Sequence, residues 1–317
     1  MSETRDALIA VDIGNTTVSL GCLIKENGGY DVIKQERFPT ADGNKPAVIE
    51  RSLQRLMEGA EARLADDSSE PAVIRQPLPD IGGLVISSVV PKVTETVKQT
   101  IAGFFSRDVF DNDDFFEEEA VTCSCNRNLI EAALASRKQP LDIVEITDKS
   151  LTGLIFRSID MSTLGHDRIV DAAWAAANVP LPAVTVDMGT ATTFNVIDEG
   201  GVFMGGMICA GIRTGLWGLN QRTAALPIPK ERQPGPLIGK KTVDCLLSGA
   251  YNGSAAMIEG LVARVEEELG RPVSLVMTGG HAITVQKLCR HEVIYEPNLL
   301  MKGLAFLYEK NARGLSD

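Results

Sequence analysis

Two stretches decide the fold: Ala7 to Val18, ALIAVDIGNTTV, and Pro182 to Phe194, PAVTVDMGTATTF. They are two versions of one unit. Each is an apolar run, then Asp-x-Gly, then a threonine-rich turn, then a second run. Asp12 matches Asp187, Gly14 matches Gly189 and Thr17 matches Thr192, all at one constant offset. The apolar run reads as a buried strand, and the residues from Val18 and from Thr193 read as the returning strand of a hairpin. A unit repeated at about half the chain length predicts duplicated α/β domains facing each other, not a solenoid of short repeats.

Outward from these hairpins, Ile81 to Val89 is a further apolar run that reads as a buried strand, and Pro91 to Phe105 reads as a helix. The polar stretches 40–46 and 65–71 are expected loops. The acidic run 111–119, DNDDFFEEE, lacks the glycine and alternating ligands of a calcium loop and reads as a solvated segment. In the second half, an alanine-rich helix is expected from Asp167 to Asn178, ahead of Pro180. Strand Ala183 to Asp187, a glycine-rich stretch around Gly205, a long helix from Cys245 to Leu269 and a strand Val273 to Met277 follow, the last running into Thr278-Gly279-Gly280. The expected domains are 1–165 and 166–317.

Composition narrows the function. With 317 residues, 44% hydrophobic and 23% charged, either half can bury a core. The net charge of −11 and the lack of a Lys/Arg cluster argue against nucleic acid, because phosphate backbones are met by basic surfaces. An anionic substrate must then be met by local donors. The six cysteines, Cys22, Cys123, Cys125, Cys209, Cys245 and Cys289, form no disulfide framework, and with three scattered histidines no zinc site is expected. No apolar stretch approaches the ~20 residues that span a bilayer, and the N-terminus does not read as a signal peptide. A cytoplasmic location is expected.

The hairpin turns carry the chemistry. A turn built on Gly14 exposes backbone N–H groups, since glycine reaches conformations closed to other residues. Asn15, Thr16 and Thr17 add short side-chain donors, and together these make an anion nest for phosphate. Asp12, at the strand end, suits a hydrated magnesium ion held against the phosphates. Two such turns from two domains would hold one nucleoside triphosphate in an interdomain cleft. The paired glycines at Gly279 and Gly280 let a flat ligand approach the backbone, or merely make a turn. No GxxxxGK[ST] loop is present.

Across nearly the whole chain, six motifs occur in an order similar to that of the type III pantothenate kinases. They are DIGNT from Asp12, VISSVVP from Val85, GHDR from Gly165, DMGTATT from Asp187, GGMICAG from Gly205 and RTAALP from Arg222. The resemblance implies two duplicated actin-like ATPase (ribonuclease H-like) domains. It also implies ATP-dependent phosphorylation of pantothenate to 4′-phosphopantothenate, the first step towards coenzyme A. By similarity Asp12, Ile13, Gly14, Asn15, Thr16, Thr17, Val18, Ser19 and Thr190 would bind ATP. Gly165, His166, Asp167, Arg168 and Thr223 would bind pantothenate, and Asp187 would ligate potassium or ammonium. A homodimer with the acceptor site near the subunit interface is implied as well. The chain departs from the family where His166 replaces an alanine, Ala210 replaces a proline, and no tyrosine stands in FRSIDMSTL upstream of Gly165.

Read on its own, Asp167 stands where a helix begins, so the helix dipole favours its ionised form. It could take a hydroxyl proton during phosphoryl transfer, or it could simply cap the helix. Arg168 could pair with an anionic group of substrate or phosphate. Two other readings keep part of this pattern: a kinase for another small alcohol or acid, and a nucleotide-binding regulatory factor.

Overall fold

The computed structural model describes residues 7–26, 28–66, 81–106, 141–230 and 233–312. The acidic run 111–119, the pair Cys123 and Cys125, and most of the 65–71 stretch lie outside them. The chain divides into two compact units, Met1–Leu151 with Leu304–Asp317, and Thr152–Gly303.

In the first unit, β1 (Ala7–Ile13), β2 (Thr17–Glu26) and β3 (Gly29–Pro39) form an antiparallel meander. Helix α1 (Pro46–Asp66) leads to β4 (Ile81–Ser88), α2 (Pro91–Ser106) leads to β5 (Asp142–Glu145), and β4 and β5 extend the sheet in parallel from β1. The order is β3-β2-β1-β4-β5. The 40–46 stretch is shorter as a loop than expected, because Thr40–Asp42 form a 3-10 turn and α1 starts at Pro46.

One core packs α1 and α2 onto the sheet face that carries Val11, Ile13 and Ile86. The other face carries Gly83, where an added Cβ would fall on the phenol ring of Tyr308. Lys25 pairs with Glu309 at 2.5 Å, and Asn311 exchanges hydrogen bonds with the backbone of Leu151. These contacts explain why the residues from Leu304 on group with the first unit.

The second unit repeats the plan. It begins with the short β6 (Ile155–Phe156) and α3 (His166–Asn178). Strands β7 (Ala183–Met188), β8 (Ala191–Ile197) and β9 (Val202–Ala210) are the meander, so the glycine-rich stretch is a strand. Then come α4 (Ile212–Arg222), α5 (Thr242–Leu269), β10 (Ser274–Thr278), α6 (Ala282–Val285), β11 (Val293–Tyr295) and α7 (Leu299–Asn311). The order β11-β10-β7-β8-β9-β6 is the first sheet read backwards with β6 added. Strands β10 and β11 extend in parallel from β7, as β4 and β5 do from β1. Two sheets of one topology show that the α/β unit is duplicated.

Strand β7 is buried on both faces, which is why its sequence up to Asp187 is apolar but for Thr185. Val184, Val186 and Met188 pack with α5 residues Tyr251, Ile258 and Val262. Ala183, Ile197, Phe203 and Val276 pack with Ile169, Ala172 and Ala175 of α3. Alternation along the strand therefore turns Thr185 and Asp187 to the α3 face.

Candidate functional site

In the first unit, Asp12 is the one half-exposed residue of β1. Ladder register sets Ser19 of β2 and Ser87 of β4 on either side of it. Residues paired across a ladder share a sheet face, so Ser19, Asp12 and Ser87 make a polar row facing away from the α1–α2 core. The turn beyond is closed by the Gly14 N–H donating to Thr17 O at 3.0 Å. The buried Thr40 fastens it: its Oγ1 donates to Gly14 O at 2.7 Å and its N–H to Thr16 O at 3.0 Å.

Asn15 and Thr16 are exposed at the tip, where a phosphate could reach their donors. Ile13 and Val18 are wholly buried, so they could offer a ligand only backbone groups. Gly14 does not adopt a positive φ, contrary to the expectation from its sequence. Space is the constraint instead, because a Cβ there would lie 3.2 Å from Thr17 O.

The second unit has the matching row. Thr193 of β8 and Thr278 of β10 flank Asp187 in register. Here the loop is one residue shorter: Met188 pairs with Thr192, whereas Ile13 pairs with Val18. The ladder thus places Thr193 beside the aspartate, where a gapless match of the two hairpins would set Phe194, the counterpart of Ser19. Thr192 is buried, and Thr190 is exposed at the tip.

Two glycines close round this turn. Thr190 O accepts from the Gly211 N–H at 3.1 Å and from Thr214 Oγ1 at 2.6 Å, and a Cβ on Gly211 would strike the carbonyl oxygens of Gly189 and Thr190. Gly279 has φ +93°, and a Cβ there would lie 2.5 Å from Asp187 Oδ1 and 2.6 Å from Met188 N. The second glycine, Gly280, has open space. Of the TGG motif, then, Thr278 and Gly279 build the Asp187 turn.

The α3 N-terminus lies over the same sheet face as Asp187. Gly165 holds the N-cap position with no side chain to cap with, His166 and Asp167 are the first two helical residues, and all are half-buried. Asp167 therefore stands two positions past the cap, and the capping alternative does not hold. Its Oδ1 accepts from the Arg168 N–H at 2.9 Å, within the electropositive first turn.

Arg168 turns back onto the sheet. Its Nε donates to Asn195 Oδ1 at 2.7 Å and an Nη donates to Phe194 O at 3.3 Å, while the guanidinium lies 5.8 Å from the Phe203 ring centroid. Burial lowers its pKa, an effect opposed by the neighbouring Asp167 carboxylate. Both acceptors are neutral, so the guanidinium charge is not cancelled by a carboxylate bonded to it.

Phe156 rests on Phe203 with centroids 5.7 Å apart, so the stretch without a tyrosine supplies an aromatic ring but no phenol hydroxyl. Thr223 is the exposed C-cap of α4, its Oγ1 donating to Leu219 O at 2.8 Å. Sequence reasoning did not single out Thr40, Ser87, Thr193, Asn195 or Gly211. Ser87, Thr193 and Gly211 lay in quoted motifs, but their places beside the turns depend on register and tertiary contact, as do those of Thr40 and Asn195.

A model of the family described as "Type III pantothenate kinase" matches residues 105–264. Type III pantothenate kinases of two Dehalococcoides mccartyi strains are 29% and 30% identical over 306 residues, spanning 96% of this chain and 98% and 97% of theirs. That of Thermomicrobium roseum is 29% identical over 97% of this chain and 99% of its own. Solved structures similar to this chain include the ethanolamine utilization protein EutJ from Carboxydothermus hydrogenoformans, 12% identical over 94% of this chain and 89% of that one, at a TM-score of 0.47. Another is a glucokinase from an Antarctic psychrotroph, 10% identical over 96% and 99% of the two chains, at 0.41. Likeness at that level says nothing about activity.

A local prediction follows from the Asp187 turn. Gly279→Ala should lower the unfolding free energy by about 1–3 kcal/mol, the usual cost of a disfavoured backbone conformation, with the clash at Met188 adding to it. Gly280→Ala should leave it unchanged. Urea unfolding of both variants checks this, and equal midpoints would show that Gly279 is no more than a turn residue.

Proposed function

The chain belongs to the type III pantothenate kinase family, and from that premise we propose that it transfers the γ-phosphoryl group of ATP to the primary hydroxyl of pantothenate. The observation that carries this reading is the pair of Asp-glycine turns on two sheets of one topology, with a carboxylate and a guanidinium at the N-terminus of α3 on the Asp187 face. Phosphoryl transfer needs mainly positioned charge and donors, which this set supplies.

In this reading the turn from Asp12 to Ser19 binds the ATP phosphates, with Asn15 and Thr16 as side-chain donors and Ile13 and Val18 through the backbone. Thr190 adds a nucleotide contact. Asp12 is suited to a magnesium ion held through water or phosphate oxygens. Asp187, flanked in register by Thr193 and Thr278, stands in an all-oxygen setting that fits potassium or ammonium. Such a cation would supply positive charge beside the phosphates.

Gly165, His166, Arg168 and Thr223 line the acceptor. Asp167 takes the hydroxyl proton as the oxygen bonds to the γ-phosphorus and the bond to the ADP oxygen breaks. His166 neighbours the acceptor without serving as base, since the family has alanine there.

A homodimer is part of the proposal. In the second unit an exposed apolar series runs from Met204 and Ile208 of β9 through Trp217 and Leu219 of α4 to Ile228, Leu237 and Ile238. Leu237 and Ile238 are 72% and 82% exposed, more than an isolated soluble surface favours for adjacent large apolar residues. Thr223 falls within this stretch, so a second copy covering it would complete the acceptor side.

Three measurements test these statements. Purified protein with ATP and magnesium should turn over far faster with pantothenate than without it, and should need potassium or ammonium in place of sodium. A panel of small alcohols run alongside would expose a different acceptor, and equal turnover with water alone would leave an ATPase or a regulator.

Asp167→Asn should lower kcat by ~10²–10⁴, as loss of a general base does, with ATP affinity and melting temperature little changed. Retained kcat with a lower melting temperature would make Asp167 a helix residue only. Light scattering should give the mass of two chains, and a fully active monomer would contradict the assembly.

A further inference from the structure

Three adjacent strands place Thr185, Asn195 and Gly206 in one row, Thr185 paired with Asn195 and Asn195 with Gly206. Thr185 and Asn195 are completely buried. Asn195 Nδ2 donates to Thr185 Oγ1 at 2.9 Å, and its Oδ1 accepts from Arg168 Nε at 2.7 Å. An arginine can only donate, so the oxygen of this amide must face Arg168 and its NH2 must face Thr185. At the end of the row Gly206 supplies room. A Cβ there would lie 2.9 Å from an Arg168 Nη and would collide with Phe194 O.

A buried amide with both ends engaged is a costly thing to place inside a sheet unless every bond is made. Here it reaches a flexible side chain on another element and fixes its direction. Arginine carries large rotamer entropy, so a bond at Nε with a further one at Nη selects a single setting of the guanidinium plane. That plane belongs to the residue next to Asp167, whose carboxylate accepts the Arg168 backbone N–H.

We propose that Asn195 is a positioning residue for the transfer reaction: anchored by Thr185 and given space by Gly206, it aims the Arg168 guanidinium at the anionic end of the acceptor. This rests on the kinase reading given above. Asn195 itself touches no substrate.

The test compares Asn195→Leu, Asn195→Asp and Arg168→Met, alone and with Asn195→Leu in the Arg168→Met background. Asn195→Leu is expected to raise the pantothenate KM by about ten- to a hundredfold, the usual worth of a hydrogen bond to a charged group, while the ATP KM stays at its wild-type value. Asn195→Asp keeps an acceptor oxygen for Nε and should retain the fixed setting of Arg168, while its carboxylate, by offsetting the guanidinium charge, should leave the pantothenate KM raised. In the Arg168→Met background Asn195→Leu should add nothing, because the two residues act as one unit. Additive losses, or a rise in both KM values, would mean that Asn195 only stabilises the sheet and would overturn the proposal.

Should Asn195→Leu fail to fold, Asn195→Ser leaves a polar group beside Thr185 that is too short to reach Nε, and the same outcomes apply. A second readout is independent of activity. With ¹⁵N-arginine, the Arg168 Nε–H signal should be protected from exchange in the wild type and lose that protection in the Leu or Ser variant. If wild-type protein phosphorylates no pantothenate, the kinase reading fails; protection that persists in the variants sinks the positioning role instead.

Discussion

Each unit is organised by one constraint: its central strand is covered on both faces and can carry charge only where it emerges. Strands β1 and β7 are buried along their length except at Asp12 and Asp187, next to the last residue. A carboxylate cannot be held in the apolar interior, so the strand end is where charge is tolerable. The same end is where the returning hairpin strand begins and the parallel neighbour finishes. Their hydroxyl residues are therefore brought beside the aspartate by the ladder itself. The polar rows are consequences of sheet geometry, and their chemistry depends on it.

This explains why so much of the architecture was legible. A strand buried on both faces writes itself as a largely apolar, uncharged run, and the following Asp-x-Gly marks its exit. The strands Ala7–Ile13, Ile81–Ser88 and Ala183–Met188, and the helices from Pro91 and His166, fall where the patterns put them. Register is different. The second hairpin loop is one residue shorter, yet the two sequences align without a gap, because the polar threonines on either side tolerate the slip. A one-dimensional match sets Phe194, the counterpart of Ser19, opposite Asp187, where the ladder sets Thr193. A one-residue shift exchanges a buried side chain for one facing the site.

The glycines show the same limit from another side. Gly14 and Gly279 both stand in motifs that invite an argument from backbone freedom. Only Gly279 has the left-handed conformation; Gly14 is held by the closeness of Thr17 O. Gly206 and Gly211 are explained by neither turn nor backbone angle. Their missing side chains leave room for Arg168 and for the Thr190 carbonyl. Close approach between distant segments is a tertiary fact, and a glycine in a strand signals it without saying what approaches.

Asp167 and Arg168 are held by two different elements of the second unit. Adjacent helical residues point about 100° apart, so consecutive side chains in a first turn cannot both follow the helix axis towards a ligand. The fold resolves this by binding Asp167 locally, through the Arg168 N–H, and by bending Arg168 back to Asn195 and Phe194. The carboxylate is set by the helix and the guanidinium by the sheet. Because the two anchors are independent, an acid–base group and a charge-binding group can sit next to each other in sequence without collapsing into an ion pair that would silence both. That separation is what a transfer site requires of neighbouring opposite charges, and it depends on a buried amide that carries no charge of its own.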